Sequence, residues 1–237
     1  MQQVPLPLVG GLPGRFDTYL PGPNAVAVAQ LAQDIPPRTP VYLWGDVGSG
    51  KTHLLQAVRQ ACADSGLHSG LFSPDQPTPW PFDETWALLL FDDVQRFNPE
   101  QQHQAFALCV EAQALGIAWV AAGSAPPVDL PLRDDLRSRL GWGQIHALRS
   151  LDEEETLAAV GLEAERRGIV LSPEVLRYLF SRFSRDLSSL MRLLERLDTS
   201  SLAPGRAVTV PLLRKMCADR DTGDDNSPTP RQQDPLA

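Results

Sequence analysis

Gly45-Asp46-Val47-Gly48-Ser49-Gly50-Lys51-Thr52 is the stretch on which the fold turns. It fits the pattern G-x-x-x-x-G-K-[ST] at every position. The apolar run Val41-Tyr42-Leu43-Trp44 precedes it and His53-Leu54-Leu55-Gln56-Ala57-Val58 follows, so the order reads strand, glycine-rich loop, helix. Glycines allow successive backbone N–H groups to turn inward onto phosphate oxygens, where side chains would obstruct. Lys51 brings a positive charge for the outer phosphates, and Thr52 offers a hydroxyl to Mg²⁺. The helix start, through His53, adds its dipole. A glycine-rich turn matching by chance would lack the flanking strand and helix. The chain is therefore expected to bind a nucleoside phosphate.

Composition narrows the setting. A hydrophobic fraction of 43% in 237 residues is enough for a substantial core. The net charge of −8 disfavours general attraction to nucleic acid, so any DNA contact needs a local basic patch. Cys62, Cys109 and Cys217 lie far apart without metal-ligand spacing and read as reduced packing residues. The N-terminus lacks the charge and apolar core of a signal peptide, and no apolar run reaches membrane-spanning length. The expected location is the cytoplasm, with no membrane partner.

Working outward, residues 1–14 are rich in Pro and Gly. Within them Gln3-Val4-Pro5-Leu6-Pro7-Leu8 pairs an amide with spaced apolar anchors, which suits docking in a partner's groove. Read alone, the plainer view is a disordered tail. Asn24 is placed to cap a helix running to about Ala32. Downstream of the phosphate loop, Ser69–Phe72, Ala87–Phe91 and Ile117–Ala122 read as strands, the last two apolar throughout, as in a parallel sheet covered on both faces. Ala87–Phe91 ends in Asp92-Asp93, at the edge where open α/β sheets hold ligands. Asp92 is expected to hold Mg²⁺ through water and Asp93 to orient or activate the attacking water; capping of the next helix is the plainer alternative. Ser124 follows the next strand at the same edge, within reach of the γ-phosphate or the water.

Leu132–Leu140 reads as a short helix carrying Arg133, Arg137 and Arg139, and Gln144–Leu148 as a last strand. For Arg139 the plain reading is a surface salt bridge. From Ser150 the pattern is helical only, with Asp152 and Glu155 spaced as a capping box and Arg185 in the first turn of a third helix. The expected organisation is residues 1–14 as an N-terminal peptide, 15–149 as an α/β nucleotide-binding domain with a parallel sheet flanked by helices, 150–218 as a small all-α lid, and 219–237 as a polar disordered tail.

This order of parts resembles the AAA+ ATPases. Leu136-Arg137-Ser138-Arg139-Leu140-Gly141-Trp142-Gly143 resembles the arginine-finger box of the DnaA and Hda branch, and Phe16–Tyr19 with Gly22-Pro23-Asn24 resembles the segment that opens its nucleotide domain. At Gly123-Ser124-Ala125-Pro126-Pro127 the chain departs from the family, with Ser and Ala where Asp and Arg are usual. Two features point to the Hda side: no room for a DNA-binding domain after the lid, and likeness of Gln3, Val4, Leu6 and Leu8 to a peptide that binds the DNA polymerase III sliding clamp. The resemblance implies ADP or ATP with Mg²⁺ on Gly45–His53 and Asp92, Arg185 as second sensor for that nucleotide, and Arg139 acting in trans on nucleotide held by DnaA. It implies DnaA and the clamp as partners, DNA contacted only through the clamp, and self-association. The regulator implied would stimulate hydrolysis of DnaA-bound ATP and so prevent over-initiation. An autonomous ATPase that loads or remodels a replication protein is the alternative; Asp93, where Glu is more usual, argues against strong turnover.

Overall fold

The computed structural model describes residues 14–182, 190, 191, 194, 207 and 208. The N-terminal peptide with Gln3, Val4, Leu6 and Leu8, together with Arg185, Cys217 and the tail, lies outside the described residues. The chain divides into two compact units between Glu155 and Thr156.

The first unit is built on five parallel strands, β1 (Val41–Trp44), β2 (His68–Phe72), β3 (Trp86–Phe91), β4 (Ala118–Gly123) and β5 (Gln144–Ala147), in the order β2-β3-β4-β1-β5. The unbroken apolar runs follow from burial on both faces. Tyr42, Leu89, Phe91, Trp119 and Ala121 pack on one side with α3 (Pro99–Ala114) and α4 (Asp134–Leu140). Leu43, Leu88, Leu90, Val120 and Ala122 alternate onto the other, against α1 (Ala25–Gln33) and α2 (Lys51–Asp64). Each strand ends at one common edge, where Gly45, Asp92 and Ser124 follow β1, β3 and β4.

One local expectation needs correction. Asn24 holds the position before α1, but its side chain makes no capping bond. Buried at 4% exposure, it donates instead to Arg149 O (2.9 Å) and Tyr19 Oη (3.1 Å), and accepts from Arg149 N (2.9 Å). A carboxamide that finds both a backbone N–H and a C=O inside the protein is worth more there than at a solvated helix end. Asp92 and Asp93, by contrast, leave the capping of α3 to Asn98, which exchanges bonds with Gln101 in a capping box.

The second unit continues α5 (Glu153–Arg166) and adds α6 (Pro173–Arg182). Asp152 and Glu155 form the expected capping box at 2.8 and 2.9 Å. Val160, Ala164, Ile169, Val175, Leu190 and Leu194 form its core. The helical pattern gave no sign of one addition, the two-residue parallel pair β6 (Val170–Leu171) and β7 (Ala207–Val208).

Candidate nucleotide site and arginine face

At the strand-end edge the phosphate loop takes the conformation that its glycines permit. Gly50, at φ 88°, turns the chain into α2, and a Cβ there would stand 2.5 Å from the ring of Tyr19. Lys51 is buried, with Nζ donating to Gly45 O at 2.7 Å and Asp46 O at 2.8 Å. Burial lowers its pKa, and the nearby carboxylates of Asp93, Asp92 and Asp46 oppose that shift. The amides of the first turn, through His53, have no intrahelical acceptor and are available to an anion. The His53 ring itself turns away, towards Arg15 O (3.1 Å) and Thr18 Oγ1 (3.3 Å). Burial lowers its pKa, against the raising effects of the Arg15 carbonyl and Asp17.

Asp92 stands beside this loop. Desolvation raises its pKa, while a hydrogen bond from the Thr52 hydroxyl opposes the rise. It also accepts from Asp93 N at 2.9 Å. A hydroxyl touching a half-buried carboxylate next to a phosphate loop fits Mg²⁺, which shares its coordination with phosphate oxygens and water and needs only one or two protein ligands. Among the described residues there is no cluster of three or more His, Cys, Asp or Glu that would form a self-sufficient metal cage.

Asp93 adopts the left-handed conformation at φ 50°, uncommon for a residue with a side chain and frequent at functional sites. Its carboxylate is held by Gln95 Nε2 at 3.1 Å and by Arg96 at 3.5 Å. Gln95 Oε1 accepts from Ser124 N at 3.1 Å, so one side chain ties the acidic turn to the turn after β4. The sequence reading placed Asp93 and Ser124 at one edge but missed Gln95, because the link joins two turns separated by a helix and a strand.

Tyr19 was also missed as a contributor. Its hydroxyl donates to Ser49 O at 3.1 Å and accepts from Asn24, so the segment before α1 is latched onto the phosphate loop. The missing side chain at Gly50 was the available signal, since a ring can lie directly on a glycine.

Arg139 occupies a different place. It lies in the last turn of α4, and Trp142 and Gly143 then lead into Gln144, whose N–H donates to Pro40 O at 2.9 Å. That is the edge where strands begin, roughly 13 Å from the phosphate loop by the length of β1 at about 3.3 Å per residue. Arg133 and Arg137 pair with Asp135 (2.7 Å) and Asp134 (2.5 Å). Arg139 forms no salt bridge among the described residues. Its guanidinium lies 4.3 Å from the centre of the Trp142 ring and 5.9 Å from that of Phe106, and donates to Gln113 Oε1.

Comparison with known proteins agrees with this layout. Residues 14–68 match the bacterial DnaA ATPase domain, and residues 152–217 match the Hda lid domain. A protein of Haemophilus influenzae, described only as uncharacterized, is 33% identical over 186 residues, covering 74% of this chain and 80% of its own. The chain belongs to the DnaA-related AAA+ family and is Hda-like. The fold of this Hda-like chain is also that of domain III of Thermotoga maritima DnaA (TM-score 0.69, 20% identity, 88% of this chain and 97% of that one). A DnaA solved with AMPPCP and single-stranded DNA gives 0.67 at 21% identity, over 89% of this chain and 70% of that one. The RuvB of Thermotoga maritima gives 0.58 at 17% identity, over 87% and 72%. Among the described residues no helix is long and apolar enough to cross a membrane.

Proposed function

We propose that this Hda-like chain regulates the initiation of DNA replication by stimulating hydrolysis of ATP held by DnaA. The observation that carries the reading is the position of Arg139. It sits at the strand-start edge, away from its own phosphate loop, and no carboxylate among the described residues neutralises it. A guanidinium so placed serves a triphosphate on another subunit, where it stabilises charge that builds up during phosphoryl transfer.

In this reading the chain's own ADP or ATP is a bound ligand more than a substrate. The phosphate-loop amides and Lys51 hold the phosphates, Thr52 and Asp92 hold Mg²⁺, and Arg185 contributes from the lid. Asp93 is tied to Gln95 and Arg96, which weighs against rapid turnover by the chain alone. The peptide with Gln3, Val4, Leu6 and Leu8 would tether the chain to the sliding clamp, so DNA is met through the clamp. Self-association and a cytoplasmic location belong to the same proposal.

The test follows nucleotide bound to DnaA over time, with this protein, clamp and clamp-loaded DNA each omitted in turn. Wild type accelerates hydrolysis when all are present. Arg139→Ala is expected to remove about 10³-fold or more of that acceleration, the range for arginine fingers, while leaving clamp binding intact. Undiminished acceleration by Arg139→Ala would refute the assignment, and rapid hydrolysis by the purified chain alone would favour the autonomous ATPase.

A further inference from the structure

The guanidinium of Arg139 does not reach into solvent unsupported. It lies over the indole of Trp142, three residues further along the chain, with Gln113 and the edge of Phe106 completing the seat. The backbone builds this arrangement. Trp142 N–H donates to Arg139 O at 3.1 Å, closing the last turn of α4, so the two side chains leave the same short arc. Gly143, at φ 82°, then reverses the chain into β5; a Cβ there would stand 2.1 Å from Pro40 O. Trp142 thus stands between the helix end and this turn, with its ring against the Arg139 guanidinium.

Burial in the chain's own core does not explain the indole. Trp142 is 44% exposed, whereas Leu136 and Leu140 of the same helix are fully buried. A large aromatic side chain left half in solvent, with its face covered by a cation, restricts that cation more than it stabilises the core. Arginine has many rotamers, and restricting them before a partner arrives lowers the entropy lost on reaching the charge-bearing arrangement.

We infer that Trp142 is the positioning residue for Arg139, holding the guanidinium at the strand-start edge in readiness for a nucleotide triphosphate on a partner subunit. This rests on the function proposed above. Gln113 acts with it by fixing the in-plane rotation of the guanidinium. Both residues act through Arg139, and the partner's phosphates are met by Arg139 alone.

The test measures DnaA-bound ATP hydrolysis at increasing concentrations of this protein on clamp-loaded DNA, separating the maximal rate from the half-saturating concentration. Trp142→Ala is expected to lower the maximal rate about three- to tenfold, the size of a cation–π contact of modest exposure converted to rate. The half-saturating concentration should stay within about twofold of wild type, well below a tenfold step. Trp142→Phe keeps a ring face and should recover most of the rate. In an Arg139→Ala background, Trp142→Ala should have no further effect. A rise confined to the half-saturating concentration would overturn the inference and make Trp142 a docking contact. An equal loss for Trp142→Phe and Trp142→Ala, or an additive loss in the double variant, would overturn it too. Should Arg139→Ala stimulate like wild type, the functional reading itself falls; should Arg139→Ala be inactive and Trp142→Ala normal, only the positioning role falls. Thermal unfolding and nucleotide binding of each variant, expected unchanged, show that the fold survives.

Discussion

Asn24 shows how much can depend on one side chain. It returns the Arg149 N–H and C=O to a paired state and holds the Tyr19 hydroxyl that latches onto Ser49. Asn24→Ala removes the part-buried bonds to Arg149 N–H and C=O and the bond to the Tyr19 hydroxyl, which keeps Ser49 O. We expect a loss of about 2–3 kcal/mol in urea unfolding, three hydrogen bonds at about 1 kcal/mol each. Nucleotide binding should weaken as well, because the latch over the phosphate loop slackens. Asn24 was legible in the sequence only as a helix cap. Propensity favours Asn before a helix, and the competing partner lies 125 residues away. The same limit hid Gln95 and Tyr19, whose partners are also distant in sequence. Gly50 and Lys51 were legible because their tasks belong to one local loop.

Among the elements, α3 carries the clearest contrast between local and non-local information. Asn98-Pro99 and Gln101 form a capping box from residues close in the chain. Gln101 also does something the pattern does not contain. Buried at 3% exposure, it donates to Pro74 O at 2.9 Å and Gln76 O at 3.2 Å, fastening the proline-rich loop after β2. Asn98→Ala should cost about 1 kcal/mol, the usual worth of a cap. Gln101→Ala should cost about 2–3 kcal/mol, since it breaks the capping box and removes both bonds to the loop carbonyls of Pro74 and Gln76. Parallel denaturant titrations check the order, and equal losses would show that the loop finds other partners. The strands themselves were readable because burial on both faces leaves no polar position along them. Their ends moved by a residue or so, as with Trp86 and His68, because sheet pairing decides where a strand stops.

At the scale of the whole molecule, charge is divided between the two edges of the five-stranded sheet. The phosphate loop, Asp92 and Ser124 share the strand-end edge, while Arg139 stands at the other edge. One chain therefore carries both a place to hold nucleotide and a group that cannot reach it from the α4 terminus. Nucleotide held on the first face should stabilise the protein by mass action, about 2.7 kcal/mol at a concentration of 100 times Kd. We expect ADP with Mg²⁺ to raise Tm by several degrees, and Lys51→Ala to abolish that increment whatever its effect on the unliganded protein. Arg139→Ala should retain the increment in full. A thermal melt series with and without ADP and Mg²⁺ reads both outcomes, and loss of the increment in Arg139→Ala would mean that this arginine serves its own nucleotide.

The sequence by itself determined the elements whose cause is local: the phosphate loop from its glycines and Lys51, the buried strands from unbroken apolar runs, and the capping box at Asp152 and Glu155. The helical pattern from Ser150 marked the lid, and family likeness added the role proposed for Arg139. Tertiary structure alone decided that Asn24 grips Arg149, that Gln95 joins Asp93 to Ser124, and that Arg139 rests on Trp142 at the edge away from the phosphate loop. Periodicity and turn chemistry act over a few residues, whereas hydrogen-bond partners and sheet edges are chosen only when distant segments pack together.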